Sequence, residues 1–287
     1  MISACMLFDS NFSIEGWLCC KSIIDFDPTM KIYVLCLDQR VFQEAYKYKN
    51  NIIPIQLYDL ENYYPDLFKA RLTRPWNAYT QTCKVFIPSY IFDIYNENCV
   101  YYVDSDLYFW DKSSQINDIL GSYSFMVTSR ESGEPPPRQG RYNGGFYACK
   151  NDKLGNKFLK WWQKKTIEWC LWKPGEGGRF SEEGYFNIFY DQPEKFKGVL
   201  ISKHHGINLA YWNMCKHQLK IKNDKIYVDN DLLICFHYQG LKINKNGYDA
   251  SVRFRDNVSK YIYDSYYKKY CLFREDFLND LDCNWWG

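Results

Sequence analysis

With 287 residues, 46% of them hydrophobic, the chain is long enough for one α/β domain with extensions or for two small domains closely joined; one domain is the expectation. The formal charge is only +2, and no long basic run lies outside the C-terminal segment, which excludes the electrostatic signature of a nucleic-acid-binding protein. Any nucleotide is therefore expected as a small-molecule ligand. The 12 cysteines are scattered without a Cys-x-x-Cys pair or a zinc-like His spacing. Several, including Cys5, Cys36, Cys149 and Cys235, sit inside apolar segments, where a free thiol behaves as a small buried hydrophobe, so a reducing cytoplasm is the expected location. Met1 to Asp9 lacks the basic region and cleavage site of a signal peptide, and no apolar stretch approaches the ~20 residues that span a bilayer.

Met6-Leu7-Phe8 reads as a first strand, followed by a polar turn at Asp9-Ser10-Asn11 that can cap a helix over Ile14 to Ile24. Lys31 to Asp38 and Asn51 to Leu57 give a second and a third buried strand. Strands alternating with helical patterns predict a mixed, mostly parallel sheet with helices on both faces. A helix over Thr80 to Ile94 carries Lys84, and in the run Val100 to Phe109 Asp104-Ser105-Asp106 stands at the end of an apolar strand-like segment. Ligands of such sheets bind beyond the carboxyl ends of the strands, which is where Asp9-Ser10, Asp38 and Asp104-Ser105-Asp106 fall.

Asp104 and Asp106 are one residue apart, so an extended chain points both to the same face. Such a pair can hold a hard divalent cation through oxygen while leaving positions open for a diphosphate. Glu131 to Gly140, with three consecutive prolines at Pro135, Pro136 and Pro137, is a loop expected beside an acceptor. A helix over Asp152 to Cys170 carries Trp161, Trp162 and Trp169, of which core packing claims at least two. Lys173 to Arg179 is a glycine-rich loop of the lid or acceptor-loop kind leading into Glu182-Glu183. From residue 246 to 287 the chain becomes basic and aromatic, with Ser251-Val252-Arg253, Tyr266-Tyr267-Lys268-Lys269-Tyr270 and finally Trp285-Trp286. A helix there either packs its aromatic stripe on the domain formed by 1–245 or rests peripherally on an anionic membrane surface. The aromatic share of 19%, with 26 Tyr, leaves two readings open, a Tyr-rich core or a carbohydrate-stacking surface.

Four segments taken together are more specific than any one. Asp104-Ser105-Asp106 is the first, followed by Asn143-Gly144-Gly145, then Asn208-Leu209-Ala210-Tyr211-Trp212-Asn213, then His237-Tyr238-Gln239-Gly240-Leu241-Lys242. In this order they resemble the bacterial GT-A fold glycosyltransferases, in particular the glycogenin-like and lipopolysaccharide galactosyltransferase group. The resemblance implies a single Rossmann-like sugar-nucleotide transferase domain with a helical C-terminal extension. It implies Mn²⁺ or Mg²⁺ held by Asp106 and His237, with Asp104 either a further ligand or a ribose contact. It also implies a donor cradle of Asp9, Ser10, Lys84, Asn143, Gly144 and Lys242. The Gly-to-Lys spacing is one residue shorter than in the glycogenin-like enzymes, which leaves the reach of Lys242 to the diphosphate open. Where related enzymes carry Asp-Gln near the reacting sugar, this chain has Glu182-Glu183, the expected catalytic pair.

The expected function is transfer of a sugar from a nucleotide diphosphate donor, with UDP favoured, to a hydroxyl of a glycan or lipid-linked glycan in surface polysaccharide or lipopolysaccharide synthesis. Retention of anomeric configuration is favoured. An inverting enzyme would need a carboxylate to take the acceptor proton, whereas a retaining one needs a group that steadies the oxocarbenium-like state from the other face; Glu183 suits either. A sugar-nucleotide nucleotidyltransferase is the alternative, although the turn Asp9 to Ser13 has neither the glycine nor the lysine of its phosphate loop. A non-catalytic sugar-nucleotide-binding domain is the third reading.

Overall fold

The computed structural model describes residues 2–48, 50–131, 136–176, 179–244, 246–250 and 254–284. Pro135, Gly177, Gly178, Ser251-Val252-Arg253 and Trp285-Trp286, singled out above, lie outside the described residues. The chain divides into two compact units, one of Met1–Ser10, Pro28–Asp104 and Ser114–His204, the other of Asn11–Asp27, Ser105–Ser113 and His205–Gly287.

The first unit is built on a seven-stranded sheet. Its strands are β1 (Ser3–Phe8), β2 (Ile32–Cys36), β3 (Ile52–Gln56), β4 (Cys99–Val103), β5 (Phe125–Ser129), β6 (Tyr142–Lys150) and β7 (Val199–Ser202), in the order β3-β2-β1-β4-β6-β5-β7. Six strands run the same way and only β6 opposes its neighbours. Every residue of β1, β2 and β4 is buried, the pattern of parallel strands covered on both faces, and this explains their unbroken apolar composition. Pro54 sits in β3 at the sheet edge, where its missing N–H breaks no inner ladder. Tyr33, Tyr79, Tyr101, Tyr102 and Tyr147 are all buried, so much of the tyrosine excess is core.

Two local features place the candidate site. The helix expected over Thr80 to Ile94 is divided into Trp76–Lys84 and Ile87–Tyr95. Pro88 has no N–H to offer the Lys84 carbonyl four residues back, and the Tyr147 hydroxyl donates to that carbonyl instead, at 2.8 Å. The β5–β6 ladder is also irregular, because Val127 faces Tyr147 whereas Thr128 faces Asn143. Gly144, Gly145 and Phe146 are thereby released from β5 just where the chain must approach other groups. Downstream, Asp152 caps the helix Lys153–Glu168 by accepting from the N–H groups of Leu154 and Gly155, and that helix buries Trp162 completely.

A 3-10 turn, Ser10–Phe12, runs into helix Ser13–Phe26 without a side-chain cap, so the capping role expected of Asp9 to Asn11 is not taken. A small sheet places Cys235–His237 between Leu107–Phe109, antiparallel, and Leu209–Ala210, parallel. A meander of Leu219–Lys222, Lys225–Val228 and Asp231–Leu232 follows, and a hairpin of Lys242–Asn244 with Gly247–Asp249. Helix Asn257–Asn284 buries Ile262, Tyr263, Tyr266, Phe273 and Phe277 along one face, with Tyr266 stacked on Tyr238 at 3.8 Å between ring centroids. Its aromatic stripe is thus used in packing. No helix among the described residues is long and apolar enough to cross a membrane.

Candidate active site

In the first unit a buried charge network forms where β4 ends. The Asp104 N–H donates to the Gly145 carbonyl at 2.9 Å, fixing the residue after the strand. One carboxylate oxygen of Asp104 accepts from the Tyr102 hydroxyl at 2.8 Å and lies 3.1 Å from Lys84 Nζ. Lys84 is 2% exposed and also donates to Glu182 Oε1 at 2.9 Å and to the Gly144 carbonyl at 3.3 Å. Burial by itself would depress the Lys84 ammonium, but Asp104 and Glu182 outweigh it and hold its pKa above the ordinary lysine value. Lys84, expected at the donor, is therefore a buried bridge between two carboxylates.

Glu182 and Glu183 are placed by their own segment and by β6. Ser181, at φ 49°, turns the chain in the left-handed region, after which the Trp162 indole N–H donates to the Glu182 carbonyl at 2.9 Å. Both Glu183 oxygens accept from Arg130 Nη2, at 2.7 and 2.8 Å, and one also accepts from the Gly144 N–H at 2.8 Å. Burial raises the Glu183 pKa, with the Arg130 guanidinium pulling the other way. Gly144 has a steric reason to be glycine: a Cβ there would stand 2.5 Å from Glu182 Oε1 and 3.1 Å from Glu183 Cβ. The sequence singled out both glutamates and Gly144 but missed Arg130, which carries no motif and is marked only by following β5. Asn143, expected at the donor, is buried and accepts from the Gly145 N–H through its side chain.

At the ends of β1 and β2, Asp38 Oδ2 accepts from the Ser10 N–H at 2.7 Å and Oδ1 from the Val41 N–H at 3.0 Å. Asp9 accepts from the Trp76 indole at 2.9 Å. Burial opposes ionisation of Asp38, but these N–H donors outweigh it and lower its pKa. Asp9 and Ser10 thus meet at a strand end with an exposed indole beside them, a combination suited to one face of a planar base.

In the second unit, His237 Nε2 lies 3.0 Å from Asp106 Oδ1, and its Nδ1 lies 2.9 Å from Asn208 Oδ1. The Tyr238 N–H donates to the Asp106 carbonyl at 2.9 Å, so the backbone holds the pair in register. Asn208 adopts φ 57°, a left-handed conformation that asparagine tolerates, and is 2% exposed. The Asp106 carboxylate and the His237 imidazole could together hold a metal ion, with Asn208 fixing the ring from behind. Trp212 abuts the imidazole edge-on at 5.3 Å, and Asn213 accepts from the Ala210 N–H. Glu15, unremarked in the sequence, has a pKa raised by burial, opposed by hydrogen bonds from its own backbone and Tyr270 and augmented by Asp106. Lys242 begins the hairpin and is exposed. Asp104 ends one unit and Ser105 begins the other, so a single residue of chain joins Asp104 to Asp106.

No family model matches the chain. It is similar to the uncharacterized protein YfnD of Bacillus subtilis (strain 168), with 27% identity over 222 residues, 74% of this chain and 69% of that one. Among solved structures it is similar to the galactosyltransferase LgtC in complex with donor and acceptor sugar analogues. The TM-score is 0.57 at 15% identity, over 84% of this chain and 87% of LgtC. The glycosyltransferase GlyE of Streptococcus pneumoniae TIGR4 matches at a TM-score of 0.56 and 17% identity, over 98% of this chain and 64% of GlyE. The chain has the GT-A fold, as its four motifs led one to expect.

Proposed function

We propose that the protein is a metal-dependent glycosyltransferase that moves a sugar from a nucleotide diphosphate donor, UDP favoured, to a hydroxyl of a glycan or lipid-linked glycan in surface polysaccharide or lipopolysaccharide synthesis. The observation carrying this reading is the Asp106–His237 pair with Asn208 behind it, a carboxylate oxygen and an imidazole nitrogen aimed at each other. Mn²⁺ or Mg²⁺ would be held by Asp106 and His237, with Asp104, one residue removed along the chain, as a further oxygen ligand or a ribose contact. When bound, the ion supplies positive charge to the leaving diphosphate. The LgtC complex with donor and acceptor sugar analogues supports sugar-nucleotide and sugar-acceptor partners for this chain by analogy of fold.

The chain's own residues then divide the work. Trp76 offers a face to the base beside Asp9 and Ser10. Gly144, stripped of a side chain and released from β5, lets backbone approach the sugar. Glu183, held by Arg130 and the Gly144 N–H, keeps its side chain fixed beside the reacting centre, where it orients the sugar by hydrogen bonding. Retention is the favoured outcome, because both Glu183 oxygens are engaged by Arg130 rather than poised to accept a proton. Lys84 serves indirectly, by neutralising Asp104 and Glu182.

A thermal-shift screen of UDP-, GDP-, CMP- and dTDP-linked sugars with and without Mn²⁺ tests the assignment, since a ligand at ~100 times its dissociation constant adds about 2.7 kcal/mol. One nucleotide class should stabilise the protein in Mn²⁺ and release its nucleoside diphosphate slowly by hydrolysis. Pyrophosphate release from a nucleoside triphosphate and a sugar phosphate would instead establish the nucleotidyltransferase reading, and no response to any sugar nucleotide would overturn both.

A further inference from the structure

Away from Asp106 and His237, the second unit contains a cluster that the sugar-transfer reading does not use. His205 precedes the short strand Leu209–Ala210, His217 precedes the strand Leu219–Lys222, and Asp229 and Asp231 flank the turn between the last two strands of the meander. The two imidazoles lie 4.3 Å apart between ring centroids, tilted by only 31°. His217 Nδ1 is 2.7 Å from Asp229 Oδ2, and His205 Nδ1 is 3.5 Å from the same oxygen and 3.6 Å from Asp231 Oδ2.

The carboxylates are themselves fixed. Asp229 Oδ1 accepts from the Gln218 N–H at 2.8 Å, while the Asp229 N–H donates to the Gln218 carbonyl at 2.8 Å. Asp231 Oδ2 accepts from the His205 N–H at 2.9 Å. Asp229 adopts φ 55°, the left-handed conformation that aspartate tolerates at a turn. A fixed anion facing both Nδ1 atoms draws the imidazole protons to that side. The lone pairs are then turned to Nε2, the arrangement in which a carboxylate orients a metal-binding histidine.

We propose that His205 and His217 form the imidazole pair of a binding site for a borderline transition-metal ion such as Zn²⁺, oriented from behind by Asp229 and Asp231. The two residues offer ring nitrogens within 4.8 Å of each other. Two Zn–N bonds of about 2.1 Å at a tetrahedral angle place their nitrogens roughly 3.4 Å apart. Water completes the coordination. Imidazole donors favour Zn²⁺, Ni²⁺ or Cu²⁺ over Mn²⁺ and Mg²⁺, so this site and the carboxylate-bearing Asp106 site differ in preference.

The chain has only 4 histidines, so side-chain spectra are simple. In full-length His237→Ala protein, whose other candidate ligand set is disabled, Zn²⁺ titration followed by imidazole ¹⁵N resonances should shift the Nε2 signals of His205 and His217 together at one equivalent. Calorimetric Zn²⁺ titrations of the same background should lose at least tenfold in affinity on adding His205→Ala or His217→Ala, and about 10–100-fold on adding Asp229→Asn. Circular dichroism confirms that each variant is folded, and the resonance shifts decide the matter for any variant that is not. Unmoved His205 and His217 signals, or Zn²⁺ affinity unchanged in folded His217→Ala, would reduce the cluster to a structural ion-pair network and overturn the proposal.

Discussion

Glu183→Gln changes charge with almost no change in shape, and the structure gives its consequence a magnitude. Glu183 is 4% exposed and Arg130 8%, so the substitution removes a buried negative charge from beside a buried guanidinium. Removing one partner of a buried pair costs about 3–5 kcal/mol. The glutamine keeps one carbonyl oxygen, which can accept from Arg130 or from the Gly144 N–H, recovering roughly 1.5–2 kcal/mol as a hydrogen bond involving a charged group. The net expectation is a loss of about 1–3.5 kcal/mol in urea unfolding. Turnover of folded protein should stay within about tenfold of wild type, because the amide can still orient a sugar. A double-mutant cycle with Arg130→Met should return a coupling of about 1–3 kcal/mol, since the methionine removes the stranded charge. Stability equal to wild type in Glu183→Gln, or a turnover loss of ~10² or more in folded protein, would refute this reasoning; the second result would make Glu183 a catalytic carboxylate.

The other expectations follow from the same geometry. Gly144→Ala forces a methyl against Glu182 and should cost about 1–3 kcal/mol in urea unfolding, with unchanged stability arguing against the close approach. Lys84→Met strands Asp104 and Glu182 and should cost about 3–5 kcal/mol. Because the folded-state pKa of Lys84 is raised above its ordinary 10.5, that deficit should be constant from about pH 6 to 9 and shrink only as pH climbs beyond 10.5, as unfolding curves across pH would show. Asn208→Ala removes the acceptor at His237 Nδ1 and should raise the Mn²⁺ concentration for half-maximal donor turnover about 10–100-fold, with far less effect at saturating metal.

The strands were legible because buried parallel strands are nearly pure apolar runs: β1, β2 and β3 lie within a few residues of where composition places them. The division of the Thr80 to Ile94 helix was legible in principle from Pro88, but the Tyr147 hydroxyl that compensates it comes from a strand residue 63 positions beyond Lys84. Asp106 and His237 were found through motif order, and a motif states residue type without stating partners. Thus Asn208 was read as part of a signature while its hydrogen bond to His237 became visible only in three dimensions. Lys84 shows the limit most clearly. On a helix pattern it reads as an ordinary solvated lysine or a donor contact, and nothing local tells that Asp104, Glu182 and the Gly144 carbonyl enclose it. Arg130 escaped for the same reason, its partner lying 53 positions downstream.

The central claim is that Asp106 and His237 hold the ion on which donor handling depends, and its most direct test is calorimetric titration of UDP-sugar into wild type and Asp106→Ala, each with and without Mn²⁺. Wild type should bind the donor at least tenfold more tightly in Mn²⁺, and folded Asp106→Ala should lose that dependence. Donor binding that ignores Mn²⁺ in wild type, or an undiminished Mn²⁺ effect in Asp106→Ala, would contradict the account.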